Sequence, residues 1–160
     1  MVGGRLYPRH KLVTQESDNK KVYRSIINAV SSGDEDTFVA LLAQDCIDHD
    51  PIPRQEKGAA GFLTWMRAVR AAFPDFNGTI GELIAEGDLT AARVTWRGTH
   101  GGTFFGVEPT GREVTFQAMH IMRFSDGRAV EWWGTADLYG ALRQLGASVF
   151  AEPTLPDRME

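Results

Sequence analysis

From Asp18 onward the apolar residues Val22, Ile26, Ile27 and Val30 recur at the spacing of one helix face, with Ser17 or Asp18 to cap the start and Gly33 to end it. A shorter helix is expected from Asp34 or Asp36 through Phe38, Leu41 and Leu42. A polar segment, 45–53, follows, in which Pro51 and Pro53 disfavour helix. The pattern predicts a third helix over about 58–73, because Phe62, Trp65, Met66, Val69 and Phe73 share a face and Pro74 stops it. After Phe76 the period changes to that of strands: 79–86, 89–99, 114–124 and 128–135, with Gly87-Asp88 as a tight turn. Ser125-Asp126-Gly127 joins the last two. If that turn is the three-residue bulged kind, Phe124 faces Arg128, Met122 faces Val130 and His120 faces Trp132, all six on one side of the sheet. A short helix over 138–145, ended by Gly146, closes the pattern.

Helices followed by a meander imply an α+β domain, with N-terminal helices packed on a curved antiparallel sheet. The domain is expected over 17–147, after a loose arm over 1–16 and before a frayed tail over 148–160 that contains Pro153 and Pro156. Met119 and Ile121 alternate with His120, and Trp132 and Trp133 must lie on opposite sides, so both faces of the late strands carry large apolar groups. One face meets the helices. The other is expected to meet a second copy of the chain.

Composition narrows the function classes. The 160 residues are 42% hydrophobic and carry a formal charge of -4 with a pI near 5.6, which leaves no basic footprint for nucleic acid. No stretch is long and apolar enough to span a membrane, and the first residues lack the apolar core of a signal peptide, so a cytoplasmic protein without a membrane partner is expected. Cys46, the single cysteine, is read as a buried thiol. Nucleophile elbows, phosphate loops, dinucleotide fingerprints and zinc-protease helices are absent from the sequence.

Residues 98–146 carry a more specific signal: Gly-Thr-His before a Gly-rich loop, Pro-Thr-Gly at 109–111, His120, an Asp-Gly hairpin, Glu131 with Trp133, Asp137 and a closing Gln-Leu-Gly. With Cys-Ile-Asp-His-Asp-Pro at 46–51, this resembles the SnoaL-like polyketide cyclases of the nuclear-transport-factor-like superfamily, over roughly 18–146. The resemblance implies a cone-shaped α+β barrel, dimeric or tetrameric, with a pocket between the helices and the concave face of the sheet. It also implies intramolecular aldol ring closure without a metal or an organic cofactor, with Asp137 in the position of the acid/base carboxylate and His120 as the inward-facing histidine. Trp132 stands where family members often carry a histidine.

Aldol closure removes a carbon-bound proton and returns a proton to an alkoxide, and a carboxylate in an apolar cavity suits both steps. Asp137 is the candidate, although an Asp directly before Leu138 is also where a helix cap belongs. His120 is its expected polar partner, with a satisfied core histidine as the plainer alternative. In the Asp48-His49-Asp50 cluster, His49 is the candidate to reach the pocket; a turn before Pro51 accounts for the aspartates, and the spacing selects no metal. Phe62, Trp65, Met66, Trp96, Phe104 and Phe105, with Met122, Trp132 and Trp133 of the late strands, are candidates to line a pocket for a small hydrophobic, polyketide-like molecule. Two other readings fit the same fold: a non-catalytic, dimeric ligand-binding module, and an enzyme of the epoxide hydrolase or ketosteroid isomerase kind.

Overall fold

The structure, a computed structural model, describes residues 9–147, with side chains from Val13. The expected tail over 148–160 lies outside the described residues. Helix α1 spans Arg9–Ser32 and turns Tyr23, Ile26, Ile27, Ala29 and Val30 into the core. It begins at Arg9 instead of Asp18, so part of the expected arm is helical. No Gly or Pro interrupts 9–32, and the polar first half is anchored by tertiary bonds: Glu16 accepts from the Gly87 amide at 3.0 Å, and Asn19 donates to the Gly87 carbonyl at 3.3 Å. Gly33, at φ 75°, ends the helix, and the Asp34 amide folds back on the Ala29 carbonyl. Asp34 then caps α2, Glu35–Ala40, by accepting from the Thr37 amide.

A strand follows where the end of the second helix, at Leu42, and the start of the polar segment were expected. β1, Leu42–Asp48, buries Leu42 and Cys46 and runs parallel to the last strand. Helix α3, Gly58–Ala72, lies over it and sends Phe62, Met66 and Val69 inward. The remaining strands are β2 (Asn77–Glu86), β3 (Leu89–Thr99), β4 (Glu113–Ser125) and β5 (Arg128–Ala136), and α4, Leu138–Gln144, closes the order. The five strands form one sheet in the order β1-β5-β4-β3-β2, antiparallel except at the β1-β5 pair. The expected antiparallel sheet is therefore mixed, curved and unclosed, in an α+β cone fold.

Strict burial alternation on β4 separates the faces: Phe116, Ala118, His120 and Met122 point into the cone, while Gln117, Met119 and Ile121 point out. The β4-β5 hairpin departs from the expected register. Its turn has two residues, Asp126 at φ 50° and Gly127 at φ 74°, and sets Ser125 opposite Arg128 and Phe124 opposite Ala129. The extra residue comes one step later, at Val130, so Met122 pairs with Trp132 and His120 with Gly134. Arg128 is exposed and Val130 half-buried, and neither joins the inward row.

Candidate active site

The cone encloses a cavity of about 340 Å³ between α3, the concave face of the sheet and the loop after β3. Its walls are aromatic. Phe76 stacks on Trp96 with centroids 4.6 Å apart, Phe62 packs on Trp132 at 5.1 Å, and Phe73, Phe104 and Phe105 meet edge to face in a row toward the mouth. Phe105 closes that row with a positive φ of 47° and 58% of its surface exposed. Phe76 and Trp96 sit together because Gly78 has no side chain: a Cβ there would fall 2.5 Å from the Trp96 ring.

Among the polar groups on this wall, His120 is the deepest. Its ring meets Trp132 edge to face at 5.1 Å, and its Nδ1 lies 3.0 Å from the hydroxyl of the fully buried Tyr23. Burial lowers the imidazole to about 4, so it is neutral at physiological pH, and burial pushes the Tyr23 hydroxyl well above the ordinary phenol range. Across the β4-β5 pair stands Gly134, whose amide donates to Asp50 Oδ2 at 3.0 Å. With no side chain at Gly134, the Asp50 carboxylate from the loop after β1 and the His120 ring from β4 approach the same backbone position. The loop that carries Asp50 is clipped shut: Asp48 accepts from the Asp50 amide and from Gln55 Nε2, and Gln55 Oε1 accepts from the Ile52 amide. Asp48, Asp50, Ile52 and Gln55 all line the cavity.

Of the residues expected at the site, Phe62, Trp65, Trp96, Phe104, Phe105, His120 and Trp132 lie on the cavity wall. Met66 and Met122 do not; both are buried in the packed core behind it. His49 turns away from the cavity, where its Nε2 meets Glu131 at 2.9 Å and its ring stacks on Trp133 at 4.2 Å, so Trp133 too belongs to the outer face. The order in the 48–50 cluster is thus the reverse of the expectation: the histidine leaves and both aspartates stay. Alternation along an extended segment was the available signal, and reading it required β1 to be recognised as a strand.

Asp137, expected as a carboxylate in an apolar cavity or as a helix cap, is placed at the start of α4. It is exposed and accepts from the Gly140 amide at 2.8 Å as the N-cap of α4, while its neighbours Ala136 and Leu138 contribute to the wall. Among the described residues, no three His, Cys, Asp or Glu side chains gather in a way that would hold a metal ion. No helix among them is long and apolar enough to cross a membrane.

The arrangement offers a neutral imidazole, a carboxylate and a flat apolar enclosure, which suits proton transfer on a planar molecule bearing carbonyl oxygens. Comparison with known proteins points the same way. Residues 20–145 match the profile of the SnoaL-like polyketide cyclases. Aklanonic acid methyl ester cyclase DnrD of Streptomyces peucetius is 28% identical over 130 residues, which span 77% of this chain and 87% of that protein. The solved structure of IdmH from Streptomyces antibioticus, assigned as a polyketide cyclase, superposes with a TM-score of 0.72 at 34% identity, covering 81% of this chain and 99% of IdmH. AclR from Streptomyces galilaeus, assigned as a hydroxylase, superposes with a TM-score of 0.72 at 27% identity over 82% of this chain and 97% of its own.

Proposed function

Because the chain belongs to the SnoaL-like polyketide cyclase family, we propose that it closes a ring in a flat, carbonyl-bearing polyketide by intramolecular aldol addition, with Asp50 as the proton-transferring carboxylate and His120 as its polar partner. Asp50 takes a proton from the carbon between two carbonyl groups. The resulting enolate carbon attacks a ketone of the same molecule, and the proton returns to the new alkoxide, so the reaction is an isomerisation with nothing gained or lost. The observation that carries this reading is that the exposed Asp50 carboxylate, bonded to the Gly134 amide, and the His120 ring, across the β4-β5 pair from Gly134, both line the aromatic cavity. Aromatic faces hold the folded substrate so that its reacting carbons meet.

Aklanonic acid methyl ester, the compound named for DnrD, is the first test substrate. Asp50→Asn is expected to lower turnover by at least about 10²-fold while the melting temperature stays near that of the parent. Asp137→Asn is expected to leave turnover unchanged, because Asn caps a helix as Asp does. A loss in Asp137→Asn with turnover kept in Asp50→Asn would return the acid/base role to Asp137. Binding without turnover by the parent chain would identify a ligand-binding module instead.

A homodimer in the cytoplasm completes the proposal. The outer sheet face exposes Met119 at 52% and Ile121 at 46%, and a second copy laid against that face would cover them. Light scattering on a size-exclusion column tests this, and a monomer at micromolar concentration would refute it.

A further inference from the structure

The described contacts of the two buried hydrogen-bonding groups at the floor of the site carry one step more. Tyr23 is fully buried, and its single hydrogen-bond partner among the described residues is His120 Nδ1. That bond has two possible polarities. If the imidazole were the donor, the phenol proton would lie in the protein interior with no acceptor, which incurs the whole desolvation cost of an O–H group. If the phenol is the donor, both groups are satisfied, and the proton of the neutral ring is on Nε2. The Cδ2 edge of the ring, which adjoins Nε2, faces Gly134: a Cβ built there would lie 3.4 Å from Cδ2. His120 lines the cavity, so the nitrogen not held by Tyr23 is the one left for a bound molecule.

We propose that Tyr23 is a positioning residue that donates to His120 Nδ1 and fixes the imidazole as the Nε2–H tautomer, so that His120 serves the cavity as a hydrogen-bond donor to an oxygen atom and not as a proton acceptor. Resting on the cyclase reading, this separates the two roles: the Asp50 carboxylate moves the proton, and Nε2–H steadies the charge that develops on the enolate oxygen. It also requires the ligand at this end of the cavity to present a hydrogen-bond acceptor, such as a carbonyl or enolate oxygen.

Long-range proton–nitrogen NMR of the ¹⁵N-labelled full chain at pH 7 tests the tautomer directly, with the His120 signals identified by their loss in His120→Gln. The expected result is an unprotonated Nδ1, a protonated Nε2 and a slowly exchanging Tyr23 hydroxyl proton coupled to Nδ1. In Tyr23→Phe, that hydroxyl signal disappears and the second tautomer gains population. A proton on Nδ1 in the parent chain, or a doubly protonated ring at pH 7, overturns the proposal whether or not the chain turns over any substrate. Failure of the cyclase assay with the expected spectrum would leave the tautomer standing and remove only its catalytic use.

Discussion

Two histidine–tryptophan pairs sit on opposite faces of the same sheet, and the molecule treats them differently. Inside the cone, His120 meets Trp132 edge to face at 61°; outside, His49 lies flat on Trp133 at 2°. The inner histidine has a buried phenol as partner, while the outer one has the carboxylate of Glu131, which is shared with Arg123 and linked through it to Asp88. The bond to His49, followed by the bond to Arg123, holds the Glu131 carboxyl below its usual range. Residue types are alike in the two pairs; solvent access and the partner's charge decide which can do chemistry. A neutral ring in an apolar hollow can work on a bound oxygen, whereas a ring already engaged by a carboxylate on the surface serves the packing of that surface.

The sharpest way to break this contrast is to delete each ring in turn. His120→Ala is expected to lower turnover in the cyclisation assay by about 10²–10³-fold, the usual loss for one donor at a developing oxyanion. His49→Ala is expected to leave turnover within about twofold, a surface substitution away from the cavity. Steady-state rates for both variants decide it, and equal losses would erase the distinction between the faces.

Acid offers the next largest effect. Burial holds His120 near 4 against an ordinary value of 6.5, so between these values the unfolded chain takes up a proton that the folded chain refuses. Stability that is fully present above about pH 6.5 should therefore fall as pH drops toward 4, by roughly 3 kcal/mol in full. Urea titrations across that range measure the slope, which His120→Gln should flatten; an unchanged slope would mean that the inner ring is not the group that refuses the proton. At the rim between the two faces, Asp137→Ala should cost about 1 kcal/mol through loss of the cap on α4, and Asp137→Asn much less. A larger cost for Asn than for Ala in thermal melts would contradict the cap.

The helices and long strands were legible because their residues advertise a period. The apolar row from Val22 to Val30 and the alternation from Val114 to Phe124 each match one geometry. β1 gave no such sign: Leu42–Asp48 is an edge strand with two deeply buried side chains, held by backbone bonds to a strand far along the chain. The bulge at Val130 was equally silent, since an extra residue in a strand leaves no mark in composition, yet it brings Gly134 opposite His120. Asp137 shows a different limit. Cap and base call for the same residue at the same place, and only the structure shows the Gly140 amide donating to it. His120 and the aromatic wall were readable because inward strand positions and a helix face were known; Asp50 was hidden with β1.

Gly134 hands its share of the site to a neighbour on the sheet's margin. β1 is zipped to β5 along one side and, among the described residues, has no strand on the other, and Asp50 rides just past its end. Marginal strands detach in sub-global openings at lower free energy than the whole domain. Warming should therefore swing Asp50 away from Gly134 while the central strands stay paired, so that the chain falls silent several degrees before its circular dichroism reports melting.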